Sequence, residues 1–484
     1  FSARELGFGS AAEEWGVASL TMLIGRGHSA QPVPPTVHWT FRSARFSSGL
    51  ATCRPFSIPP GRRPGSRVQS ANACTSPSLE SQSRGSWWDD ENYWLPAQSR
   101  GSRRSRLFLA PMEGLGDKNF RRALSIAFPD SFDEASTEFL RLTLPADVCP
   151  YSPKAARCYR GMLESFGYDP LELRTHDQDS AAAGKCPNCA DCGPPIALQL
   201  MIAADQSEVG KGFVQWLFSQ APASCRPHRI DINMGCPSKR TTSRGQQLAG
   251  GRTSRGGAGS SLLIDPSLVS NVTAAVRAGL PSTACCLSVK MRVGYDDEAL
   301  FTENMLAAAE HADYLQIHAR TKVDGYHAPA RWDRLALAKQ VLRPLGCRVV
   351  GNGDVDSAQR YETLVKETGV DGVMIGRAAV SNPFIFYEIR SGTGDPSTAA
   401  GVGRSATMRR FFEAYYSFLT ESQKSQAGTR RYERTVSSKL KQMIAMGFLS
   451  NDHVCAPQLV SAMGRVLRTD SVTSETLIKD ILDG

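Results

Sequence analysis

No stretch of this 484-residue chain is long and apolar enough to span a bilayer. The longest candidate, WGVASLTMLIG at 15–25, is too short and is broken by Gly and Thr. Lysine is missing from residues 1–104, and no acid stands between Glu14 and Glu80. That leader is rich in Ser, Arg, Pro and Gly, has little apolar surface to bury, and is expected to be disordered. The same composition fits a transit peptide for a mitochondrion or plastid, and equally a plain extension of a cytoplasmic protein. The chain begins at Phe1 rather than Met, so Phe1 need not be its natural start. Its 13 cysteines are scattered along a long chain, which points away from a small disulfide scaffold and toward free intracellular thiols. No GxGxxG follows the first apolar run, which counts against a doubly wound dinucleotide fold.

Charge is uneven. Residues 1–104 carry +5, residues 105–400 balance to zero, and residues 401–484 carry +4. A neutral middle with a basic tail suggests that an anionic partner meets the tail.

From Arg106 onward short apolar runs recur: RLFLAPM (106–112), DEASTEFLRL (133–142), IALQLMI (196–202), RIDINMG (229–235), LSVKMRVG (287–294), DYLQIHAR (313–320), CRVVGNGDV (347–355) and DGVMIGRA (371–378). Amphipathic segments such as 265–280 and 303–312 lie between them. This alternation predicts a parallel sheet, and about eight units predict an α/β fold of the (β/α)8 TIM-barrel type. Polar residues close successive runs: Asn233 and Cys236, Lys290 and Arg292, His318 and Arg320, Asn352 and Asp354, Gly376 and Arg377. Pro237 cannot donate to a ladder and holds its predecessor extended, so Cys236 is expected where a strand gives way to a loop. In such barrels the C-terminal strand ends carry the active site, so these residues are expected to share one mouth. GNGD and IGRA close the last two runs, where phosphate sites of this fold lie, and Arg377 adds a cation. A phosphate-bearing cofactor follows as an expectation. In the tail, Arg430, Arg434 and Lys441 share one helical face, with Val436, Leu440 and Met443 opposite. Only Glu433 interrupts six basic residues between Lys424 and Lys441, a pattern that suits a polyanion.

The ordered set APMEGLGD (110–117), LQLM (198–201), DINMGCPSK (231–239), GGAGSSLL (256–263), VKMRVGYDD (289–297), IHARTKVDGYHAPARWD (317–333), GNGDV (351–355) and GVMIGRAAVSNP (372–383) resembles the dihydrouridine synthases, flavin enzymes that reduce uridine in transfer RNA. KLKQM (439–443) is similar to their C-terminal helical domain, and APMEG followed by TEF looks most like the bacterial C-type subgroup. Behind the leader read from composition over 1–104, the resemblance implies an FMN barrel over 105–395 and a helical tRNA-binding domain over 396–484. It implies FMN contacts at Pro111, Met112, Gln199, Lys290, His318, Asn352, Gly353, Asp354, Gly376 and Arg377. Cys236 would be the catalytic acid that protonates C5 of the base while FMN delivers hydride to C6. Asn233, Arg292 and Arg320 would meet the substrate, and Arg430, Arg434 and Lys441 the RNA backbone. NADPH is the implied reductant and transfer RNA the implied partner. No membrane partner is expected, and the chain is expected to act as a monomer. The resemblance suggests position 16 of the D-loop.

Two segments depart from the family pattern. Residues 240–254 form an extra arginine-bearing stretch, read as disordered or as an RNA-contacting loop. Cys186, Cys189 and Cys192, with Cys149, Cys158 and His176 upstream, have zinc-like spacing but no evident fourth ligand, so an unmetallated loop is expected. Two other functions remain open at this point: an FMN barrel enzyme acting on a small pyrimidine, and a non-catalytic RNA-binding protein on the same scaffold.

Overall fold

The computed structural model describes residues 105–447, except 130, 168–193, 221–225, 239–246, 249–251, 254–256, 282–284 and 392–402, together with residues 473–483. The leader, the Cys186–Cys192 cluster and most of the 240–254 stretch lie outside the described residues. All described elements belong to one unit, Ser81–Gly484.

The barrel opens with β1 (Arg106–Leu109) and α1 (Lys118–Ala127), followed by β2 (Glu134–Ser136), β3 (Leu140–Leu142) and α2 (Pro153–Phe166). Then come β4 (Ile196–Ile202), α3 (Ser207–Gln220) and β5 (Arg229–Met234). Inside the extra stretch, β6 (Gln247–Leu248) and β7 (Arg252–Thr253) pair antiparallel, so part of a segment read as disordered is a short hairpin. The alternation resumes with α4 (Pro266–Gly279), β8 (Cys286–Gly294), α5 (Phe301–Ala309), β9 (Tyr314–Thr321), α6 (Trp332–Leu342), β10 (Arg348–Asn352), α7 (Ala358–Thr368), β11 (Gly372–Ile375), α8 (Arg377–Ser381) and α9 (Ile385–Ser391).

Parallel ladders run β2–β1–β11–β10–β9–β8–β5–β4, and pairing of β2 with β4 closes the ring. β3 continues along β4 beyond β2, so the two pieces occupy one barrel position. The expected single strand over 133–142 is therefore interrupted. Side chains take over at the break: Thr137 Oγ1 accepts the Gln199 N–H at 3.0 Å, and Glu138 accepts the Gly114 N–H at 2.8 Å.

Strand side chains alternate between two environments. Outward residues such as Leu107, Leu198, Ile232, Val289 and Ile317 are buried under the helices in the main core. Local signals start and stop those helices. Asp265 caps α4 by accepting the Ser267 N–H, with Pro266 in the first turn, and Gly167 ends α2 in the left-handed region at φ 71°. Inward residues divide by chemistry. Phe108, Ala110, Cys286, Tyr314, Val350 and Met374 form a separate apolar cluster. Glu134, Gln199, Arg229, Asp231, Ser288 and Gln316 are also buried, but each hydrogen-bonds with others of the group.

Among the described residues three further α-helices follow: α10 (Arg404–Ser422), α11 (Arg430–Gly447) and α12 (Ser474–Asp483). α10 packs on α1, with the Phe120 and Phe411 rings 5.9 Å apart and Arg122 lying 4.1 Å over Phe418. Val436, Leu440 and Met443 of α11 are buried in a core continuous with that of the barrel, whereas Arg430 and Arg434 are exposed and Lys441 is half-buried. Among the described residues no helix is long and apolar enough to cross a membrane.

Candidate active site at the mouth of the barrel

The ends of β5, β8 and β9 lie side by side, with Asn233 opposite Lys290 and Arg292 opposite His318. The expected convergence at one mouth is therefore present for this group. Asn352 lies opposite His318 on the next ladder and opposite Met374 on the one after, which brings the β10 and β11 ends into the same rim. Arg430, Arg434 and Lys441 lie on α11, not on a barrel strand.

Cys236 begins the loop after β5 and is partly exposed. Both of its backbone groups are held. Its N–H donates to Asn233 Oδ1 at 2.9 Å, and its carbonyl accepts the Ser260 N–H at 3.2 Å and the Ser260 hydroxyl at 2.9 Å. Gly259 makes the close approach feasible: it sits at φ 63°, and a Cβ there would lie 3.0 Å from the Cys236 carbonyl oxygen. Arg292 braces the same loop through Nε to the Gly235 carbonyl at 2.8 Å and is itself buried, with Nη1 on the Thr321 carbonyl. The thiol thus hangs from a segment pinned on three sides, as a positioned proton donor requires.

The Lys290 ammonium has no hydrogen-bond partner among the described residues, and Asp231 and Cys236 are the nearby groups that favour its charge. Burial, then the neighbouring Arg292 charge, lowers its ammonium to about 8. An ammonium lowered in this way gains from an electron-rich partner that compensates its charge. His318 is buried, and desolvation together with the surrounding Arg292, Lys290, Arg320 and Arg377 pushes its imidazole well below the usual range. The ring is therefore neutral. Arg320 Nη1 faces its Nε2 at 3.4 Å, and because a guanidinium only donates, the proton sits on Nδ1.

Arg320 is buried, and all three of its guanidinium nitrogens are engaged within the protein: Nε on the Ala328 carbonyl, Nη1 on His318 and Nη2 on both Asp354 oxygens at 2.7 Å. This gives Arg320 a positioning task. Asp354 also accepts the Ala330 N–H at 2.7 Å and lies in the left-handed region at φ 55°. Its carboxylate is thus taken up within the protein, and its carbonyl accepts Arg360 Nε at 2.6 Å. Gln199 likewise engages both ends of its amide, with Nε2 on Asp231 and Oε1 on Asn233.

On the other side, Asn352 Nδ2 donates to the Met374 carbonyl at 2.8 Å and ties two strand ends together. Gly353 has φ 134°, and Gly376 leaves a recess where a Cβ would meet Ala110 Cβ at 3.4 Å and Met112 Sδ at 3.9 Å. Pro111 is partly exposed and Met112 buried beside that recess. Arg377 is half-exposed at the start of α8, 3.9 Å from Asp354 and 4.1 Å over the Tyr326 ring. The first N–H groups of α8 have no intrahelical partner. A recess lined by Met112 and glycines, backbone donors and Arg377 at one end, and Lys290 and neutral His318 at the other together fit the parts of a flavin mononucleotide: phosphate, ribityl chain and polar-edged ring.

Sequence reasoning missed four participants. Ser260 and Gly259 fall in a recognised motif, but only the fold reveals that they hold Cys236. Tyr326 also falls in a recognised motif, at 317–333, but only the fold sets its ring between Arg377 and Arg292. Lys439 reaches from α11 to the Gly114 carbonyl at 2.6 Å and Asp117 at 3.3 Å, so the tail grips the loop that follows β1.

A closed parallel barrel with a pinned thiol, a lone ammonium and a glycine-lined recess at its C-terminal mouth defines a TIM-barrel enzyme with a cofactor site. Residues 209–450 match the family model described as dihydrouridine synthase. The tRNA-dihydrouridine(16) synthase of Cupriavidus necator is 34% identical over 292 residues, covering 59% of this chain and 74% of that protein. That of Ralstonia nicotianae is 32% identical over 289 residues, covering 59% and 73%. The tRNA-dihydrouridine synthase B of Pseudomonas syringae pv. tomato is 36% identical over a shorter 162 residues, covering 33% and 43%. The chain belongs to the dihydrouridine synthase family, and it is an oxidoreductase.

Proposed function

We propose that this protein reduces the C5–C6 double bond of uridine 16 in the D-loop of transfer RNA, using FMN and NADPH. The observation that carries this reading is the pinned Cys236 loop facing Lys290 in a member of this family. The position follows the names of the relatives from Cupriavidus necator and Ralstonia nicotianae. Bound flavin supplies the hydride that goes to C6. The chain's own residues do the rest. Cys236 gives a proton to C5, and Asn233 stands beside it to meet the base. Lys290 offers its charge to the ring's polar edge, and neutral His318 offers the Nδ1–H. Gly353, Gly376, Arg377 and the backbone at Asp354 hold the ribityl and phosphate end. Mapping dihydrouridine in transfer RNA from cells with and without this protein tests the reading. Loss confined to position 16 is expected, and an unchanged dihydrouridine map would overturn it.

Arg377→Ala is expected to bind flavin at least about 10-fold more weakly, since a charge-assisted contact to phosphate is lost, while the fold is kept. Titration of apoprotein with FMN by fluorescence quenching reads this directly. Full affinity in the variant would move the phosphate site elsewhere.

Arg430, Arg434 and Lys441 are read as phosphate contacts, which set register and carry no sequence information. Replacing all three by Ala is expected to weaken transfer RNA binding and to flatten its log–log salt dependence by about 2 to 2.7. NADPH oxidation without RNA is expected to be unchanged, because the barrel is neutral and the stripe lies on α11. Unchanged slope and affinity would make the stripe a solvated face.

A further inference from the structure

Asp231 is fully buried inside the barrel, one residue pair below the mouth. Its Oδ1 accepts the Ser288 hydroxyl at 2.6 Å and Gln316 Nε2 at 2.9 Å, and Arg229 Nη1 lies 3.5 Å from the same oxygen. Its Oδ2 accepts Gln199 Nε2 at 2.6 Å. From there the hydrogen bonds run in one direction. Gln199 Oε1 accepts Asn233 Nδ2 at 2.8 Å, and Asn233 Oδ1 accepts the N–H groups of Gly235 at 3.1 Å and Cys236 at 2.9 Å.

An amide side chain can present either end to a neighbour, and the choice follows from its partners. Here both ends of the relay are fixed. A carboxylate only accepts, and a backbone N–H only donates. With Asp231 at one end and the Cys236 amide at the other, a single orientation of Gln199 and of Asn233 satisfies every link. We propose that Asp231 is a positioning residue for Cys236: through Gln199 and Asn233 it holds the backbone of the thiol loop at a set height above the barrel. Its relevance to turnover rests on the reading of Cys236 as the proton donor, but the positioning itself does not.

The relay gives this buried carboxylate a task beyond its pairing with Arg229. A neutral side chain at position 231 that can donate would let Gln199 turn its carbonyl inward. Asn233 would then face an N–H, turn in its own place, and present its NH2 group to the two backbone donors.

Asp231→Asn tests this. Amide hydrogen exchange of Gly235 and Cys236, read in the flavin-loaded protein without RNA, is expected to speed up at least 10-fold. Alkylation of Cys236 by iodoacetamide, followed on its own peptide by mass spectrometry, is expected to accelerate alongside. A double variant, Asp231→Asn with Gln199→Glu, moves the carboxylate one link along. The carboxylate at position 199 then accepts from the new amide at position 231 and from Asn233. The direction of the relay is restored, and wild-type protection of both backbone amides is expected to return. A purely structural need for charge at position 231 would not be rescued in this way. Unchanged exchange in Asp231→Asn, or lost protection in the double variant, overturns the proposal. Should Asp231→Asn fail to fold, the double variant alone decides. Lost protection in Asp231→Asn with undiminished transfer RNA turnover would keep the relay and reject Cys236 as the acid, so the two ideas fail separately.

Discussion

Cys236→Ala is expected to keep FMN, to run the NADPH half-reaction at the wild-type rate, and to form dihydrouridine at least ~100-fold more slowly, the usual worth of a positioned general acid. The substitution removes only the sulfur. The Asn233 and Ser260 hydrogen bonds go to the backbone of residue 236, which alanine retains, so the loop stays in place. The thiol is also remote in role from the phosphate end at Gly376 and Arg377. Stopped-flow absorbance separates the two half-reactions, because oxidised and reduced flavin differ in colour. Reoxidation by transfer RNA at the wild-type rate would eliminate the general-acid role while leaving the cofactor assignment intact.

Arg229→Met is expected to destabilise the folded protein by about 3–5 kcal/mol, the cost of leaving a buried carboxylate without its main partner. Arg229 and Glu134 are fully buried, and Arg229 also donates to Ser288 and Ser136 across the barrel. Burial alone would push the Glu134 carboxyl up, but the guanidinium of Arg229 and the His228 ring 3.1 Å away outweigh it and hold that carboxyl well below the usual carboxylate range. The pH dependence follows with a definite sign. A carboxyl depressed in the folded state contributes its full stabilisation above its unfolded value of roughly 4.3, and loses it progressively as pH falls toward the folded value. Wild-type stability should therefore drop steeply below about pH 4, and the variant should lose much of that slope. Urea melts of the flavin-loaded protein at pH 7 and at acid pH measure both effects. A loss under about 1 kcal/mol at pH 7 would mean that the pair is replaceable by packing alone.

The helical tail is tied to the barrel through the loop that follows β1. Lys439 holds the Gly114 carbonyl while Glu138 holds the Gly114 N–H, so both peptide groups flanking that turn depend on residues distant in the chain. The same loop leads back to Met112 beside Gly376. RNA docked on α11 and a cofactor in the recess would therefore share one loop.

Whatever is written locally could be read before the fold was known. Strand after strand is a short apolar run closed by a polar residue, and hydrophobic pattern acts over a few residues, so seven of the eight barrel positions and the rim they share were legible directly. The buried Val436–Leu440–Met443 face of α11 was legible for the same reason. The eighth position was misread as one strand because its break at Thr137 and Glu138 is made by partners 62 and 24 residues away, at Gln199 and Gly114. The surroundings of the reactive residues, by contrast, come from long-range closure. Ser260 meets Cys236 across 24 residues, Arg320 holds Asp354 across 34, and Lys439 reaches Gly114 across 325. A polar side chain in a strand has no local pattern that says whether it will meet substrate or another buried group. That choice belongs to the closing of the barrel, which brings Asp231, Gln199 and Asn233 close enough that each must satisfy the next.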